Sequence, residues 1–136
     1  MKDSNNGDRF KPGIEKNLAV LYSEGPDTLG KANSSHRLVL ANCSRQQVTA
    51  DYLINLSSNF NRFEKFEYTI EVLEGSMDIM ETLEDEDQAE ANFIAAYIGC
   101  GEFLKAKTAN EKRRSNHWTT RLQLGRIDEG MCNYFI

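Results

Sequence analysis

The alternation of apolar and polar residues changes period several times along this chain, and each change predicts an element. Leu18, Val20 and Tyr22 alternate, yet Ile14, Leu18, Leu21 and Tyr22 also fit one helical face, so the first segment stays open between strand and helix. Glu24 to Ser35, rich in Gly, Pro, Asp, Asn and Ser, reads as a long loop. Leu38, Val39 and Leu40 form a short apolar run within Arg37 to Asn42 that suits a strand. Ser44-Arg45-Gln46-Gln47 has the form of a capping box, and Val48, Tyr52, Leu56 and Phe60 then recur every four residues, predicting a helix that ends near Asn61.

Phe66, Tyr68, Ile70 and Val72 alternate with Glu67, Thr69 and Glu71, which reads as a strand with one apolar and one acidic face. Glu74-Gly75-Ser76 then reads as a hairpin turn into a second strand through Met77 and Ile79. Ala89, Phe93, Ala96, Tyr97, Cys100 and Leu104 lie at helical spacing within Glu84 to Asn110, with Gly99 and Gly101 as points where that helix bends or ends. His117 to Leu124 alternates again, and Cys132, Tyr134 and Ile136 suggest a last strand. From Arg37 the predicted order is strand, helix, strand, strand, helix, strand and a C-terminal strand. That order predicts an α+β fold: an antiparallel sheet of four to six strands with two main helices on one face, in the βαββαβ arrangement of the ferredoxin-like sandwich.

The chain has 136 residues, which suits one domain, here 14–136 behind a polar tail at 1–13. With 40% hydrophobic residues and a net charge of only −5, it has enough to bury and little to keep it unfolded. No apolar run approaches the roughly 18 residues of a membrane span, and Met1 to Gly13 lacks a signal-peptide core. Cys43, Cys100 and Cys132 are odd in number and widely spaced, unlike a disulfide framework. A soluble protein of a reducing, cytoplasmic compartment is the expectation, with Cys43 and Cys100 as buried thiols.

Candidate chemistry is sparse. There are two histidines, His36 and His117, and His117-Trp118-Thr119 has the His-x-Thr form used by two-histidine phosphoesterases. The second copy that chemistry needs is missing, because the other histidine reads His36-Arg37-Leu38. The cysteines lack the close pairing of a zinc site, and Glu84-Asp85-Glu86-Asp87 lacks the spaced ligands and glycine of a calcium loop. Gly99-Cys100-Gly101 is not completed as a phosphate-binding loop. The segment Met77-Asp78-Ile79-Met80 is acidic where an RNA-recognition strand is basic and aromatic. No catalytic residue, metal or cofactor is assigned, and the chain reads as a non-enzyme.

Charge alters that picture. Eleven of twenty-one carboxylates fall between Glu64 and Glu90 against one base, Lys65, a net −10. Seven of sixteen cations fall between Lys105 and Arg126 against one acid, Glu111. Acids at the start of the second helix and bases at its end suit the helix macrodipole, but that does not account for Glu64, Glu67, Glu71 and Glu74. Two functions compete. The first is a small interaction protein, of inhibitor or immunity/anti-defence type, that docks an acidic surface on a basic, nucleic-acid-handling protein. Its site residues are Glu64, Glu67, Glu71, Glu74, Glu84, Asp85, Glu86 and Asp87. The alternative is nucleic-acid binding through Lys105, Lys107, Lys112, Arg113, Arg114, Trp118 and Arg121.

Overall fold

A computed structural model of the chain describes residues 11–111, and among them every regular element is a helix. The order is α1 (Pro12–Tyr22), α2 (Leu29–Asn42), α3 (Ala50–Arg62), α4 (Phe66–Leu73), α5 (Leu83–Gly99) and α6 (Phe103–Glu111), with 3-10 turns at Pro26–Thr28, Arg45–Gln47 and Met77–Ile79. α1 and α2 pack as a helical hairpin, α1 meets α3, and α3, α4 and α5 pack on one another, with α6 against α5. None of these helices is long and apolar enough to cross a membrane.

The α+β expectation is therefore corrected to all-α among the described residues, and the ferredoxin-like order falls with it. Its predicted strands at 37–42, 66–72 and 77–79 are helical, while those at 117–124 and 132–136 lie outside the described residues. The reason is legible in the burial. In α4 the buried residues are Thr69, Val72 and Leu73, a helical set that the apparent alternation of Phe66, Tyr68, Ile70 and Val72 conceals. β-branched and aromatic residues favour strands only weakly, and packing against α3 and α5 overrides them. In α2, Leu38 and Leu40 are 49% and 45% exposed, so the apolar run is not the core face. That face is Leu29, Ala32, Asn33, Ser35, His36 and Val39, half of it polar. The predicted loop shrinks to the residues before Leu29, and Asn33 to Ser35 are helical despite poor propensity.

Other expectations hold in part. Val48, Tyr52, Leu56 and Phe60 are all buried in one core with Leu53, Val72, Leu73 and Ala89. The Gln47 side chain accepts from the Ser44 N–H at 2.8 Å as a capping box should, but it opens only a 3-10 turn. α3 itself starts at Ala50, where the Thr49 hydroxyl accepts from the Tyr52 N–H. The long second helix breaks at Gly101, whose φ of 77° closes α5 with Glu102 N–H bonding Tyr97 carbonyl and Gly101 N–H bonding Ile98 carbonyl. Pro12 and Gly13, assigned to the tail, form the first turn of α1.

α3, α4 and α5 are also joined by a polar chain. The Thr69 hydroxyl donates to Asn61 Oδ1 at 2.7 Å, the Asn61 amide to the Asn92 carbonyl at 3.0 Å, and the Asn92 amide to Ser57 Oγ at 3.0 Å. Each polar group that would be costly to bury alone is thereby matched.

Candidate functional site

Helical geometry regroups the acidic residues. Glu67, Glu71 and Glu74 fall at i, i+4 and i+7 of α4 and its C-cap, so they share one face, which is how the helix keeps them off its core side. Glu64 precedes them in the tight turn after α3, with φ at 60°. Glu64, Glu67 and Glu74 are exposed, whereas Glu71 is engaged: Arg37 Nε and Nη2 donate to its two carboxylate oxygens at 2.7 and 3.0 Å. That pair, aided by Asn33, holds the Glu71 carboxyl below its ordinary pKa. Glu71 thus ties α4 to α2. Lys65, the lone cation of the acidic stretch, lies over the Tyr68 ring.

The second acidic group is at the other end of α5. The α4 stripe begins beside the C-terminus of that helix, where Phe66 packs against Gly99 so closely that a Cβ there would lie 2.3 Å from the ring. Glu84, Asp85 and Glu86 occupy the first turn of α5, whose 17 residues span about 25 Å. The eight residues singled out by sequence therefore do not start as one patch. Asp87 is buried, which takes it off the surface, and Glu86 lines an apolar groove with Met77, Glu90, Phe93, Ile94 and Ala109.

The structure instead gathers Asp85 with three carboxylates that the sequence reading did not single out as site residues. The starts of α3 and α5 converge on a concavity of about 420 Å³ lined by Asp51, Asp78, Glu81 and Asp85, with Arg45, Gln46, Thr49 and Thr82 among its walls. Arg45 is its one cation among the described residues, and Arg45 is already paired with Asp78. Thr82 caps α5 by accepting from the Asp85 N–H at 3.0 Å, so Asp51 and Asp85 also complement helix N-termini. Only a helical reading of Leu83 onward together with the turn at Met77–Ile79 brings these residues to one place.

Of the alternative site, Lys105 and Lys107 are exposed on α6, and Lys105 approaches Glu102 at 3.8 Å. Lys112, Arg113, Arg114, Trp118 and Arg121 lie outside the described residues, as do His117 and Cys132. Cys43 is half-buried against the core, but Cys100 is exposed, correcting the expectation of two buried thiols. Partial burial first, then Glu67 and Glu102, push the Cys100 thiol pKa up, so it is accessible without being activated.

His36 is the other residue whose environment the sequence did not reveal. It is fully buried on α2, with Nδ1 2.7 Å from the Tyr52 hydroxyl of α3. The Tyr52 hydroxyl is the partner of Nδ1, Nε2 has none, and no group of three or more His, Cys, Asp or Glu among the described residues could hold a metal ion. Comparison with protein-family models, curated proteins and solved structures finds no match to this chain.

Proposed function

We propose that this is a small non-enzymatic interaction protein of inhibitor type, which docks an acidic surface on a basic, nucleic-acid-handling protein. The observation that carries the reading is the concavity walled by Asp51, Asp78, Glu81 and Asp85, whose single cation among the described residues is already engaged. Residues 11–111 hold seventeen acidic against nine basic residues, so the net charge around that concavity is negative like its lining. Such a surface attracts lysine and arginine side chains arranged for phosphate, and it speeds and orients their approach.

The test is affinity capture at low and moderate salt with wild type, Asp78→Lys/Glu81→Lys, and the α4 pair Glu67→Lys/Glu74→Lys. Supporting results are a partner with a basic groove that wild type recovers and the concavity variant loses, with melting temperatures matched. Retention of mixed DNA or RNA by both acidic variants, lost on reversing Lys105 and Lys107, would favour the nucleic-acid alternative instead.

A further inference from the structure

α2 is fastened to the rest of the molecule by polar groups as much as by apolar ones. Its apolar share of the core is Leu29, Ala32 and Val39, and α1 adds only Ala19 as a fully enclosed residue. Across the α2 boundary, Arg37 meets Glu71 of α4 and His36 meets Tyr52 of α3. His36 Nε2 is buried without a hydrogen-bond partner, as is the Asn33 Oδ1 one turn earlier. The second core cluster, Ile94 and Ala106 with Tyr97, Ile98 and Ala109, lies between α5 and α6 and includes nothing from the hairpin.

We propose that His36 is a proton-operated latch: when its buried ring takes up a proton, the α1–α2 hairpin opens from α3 and α4 while α5 keeps its structure. The neutral ring is satisfied at Nδ1 when Tyr52 donates its hydroxyl proton there, leaving the ring proton on Nε2. A second ring proton, taken from solvent, occupies Nδ1 and makes it a donor, so the Tyr52 hydroxyl must turn from donating to accepting while Nε2–H stays buried without a partner. The imidazolium would also be enclosed without a counterion. Glu71 of α4 is the acid that acts on the ring and is bound by Arg37, while Glu15 of α1 and Cys43 after α2 act on Tyr52 and make no pair with the ring.

Burial lowers the His36 pKa from 6.5 to about 4, with Glu71 opposing the shift weakly. A histidine released to solvent regains its ordinary value, so the open form binds more protons. The closed hairpin is therefore fully favoured above pH 6.5 and loses that advantage progressively as pH falls towards 4.

The test is hydrogen exchange with mass spectrometry on the full chain at pH 7 and near pH 4.5, corrected for the intrinsic pH dependence of exchange. Peptides of α1 and α2 should lose protection by about tenfold or more on acidification while those of α5 keep theirs. His36→Gln, which cannot titrate, should abolish that difference. Should that variant not fold, Tyr52→Phe decides the matter: the closed hairpin loses its hydrogen bond to the ring, so less acid is needed to open it and opening should move to higher pH. Simultaneous loss of protection in α5, full protection at pH 4.5, or an unshifted midpoint in the variant that folds would overturn the proposal.

Discussion

Glu64 shows how one residue can look functional and be structural. α3 ends in a Schellman turn in which Lys65 N–H bonds Phe60 carbonyl and Glu64 N–H bonds Asn61 carbonyl, placing Glu64 at φ 60°. A side chain there costs about 1 kcal/mol, so Glu64→Gly should leave urea stability equal or raise it by up to that amount. A clear loss would show that the carboxylate itself is needed for the fold. Gly99 is the converse case, since Phe66 occupies the space a Cβ would take. Gly99→Ala should destabilise by about 1 to 3 kcal/mol in the same titration despite the better helix propensity of alanine. Glu71 also changes meaning. Reversing it breaks the fork with Arg37 and unties α2 from α4, so an acidic-face variant that spares the fold uses Glu67 and Glu74. None of these roles was visible in the sequence: those of Gly99 and Glu71 depend on a distant residue, and that of Glu64 on where α3 ends.

At the scale of elements, what was legible is where apolar spacing and packing agree. The stripe of Val48, Tyr52, Leu56 and Phe60 marked α3, and the two glycines marked the break after α5. What misled was α4, where seven residues satisfy period two and period 3.6 alike, and α2, whose core face includes Asn33, Ser35 and His36. A polar core face leaves no hydrophobic signal to read. The buried Thr69 explains why α4 tolerates strand-forming residues: its hydroxyl joins α4 to α3 through Asn61, and Asn61 and Asn92 carry the link to α5. Thr69→Val preserves shape and removes the donor. It should cost about 1 to 2 kcal/mol in thermal or urea unfolding, and an unchanged stability would mean the network adds nothing.

At the scale of the whole molecule, the sorting of charge was the feature of the sequence on which the functional reading was built, and the fold redistributes it. The acidic stretch becomes a stripe on α4 and a concavity between the starts of α3 and α5, to which Asp51 comes from outside that stretch. Spacing along the chain could not foretell this, since it depends on two helix N-termini converging. The central claim is that this acidic surface binds a basic protein. Its most direct measurement is the Kd of the captured partner at two salt concentrations for wild type, Asp78→Lys/Glu81→Lys and Lys112→Glu/Arg113→Glu. Wild-type affinity should fall as salt rises, the acidic reversal should weaken binding by about tenfold or more at low salt, and the basic reversal should change little. Wild-type affinity in the acidic reversal, with binding abolished in the basic one, would contradict the account.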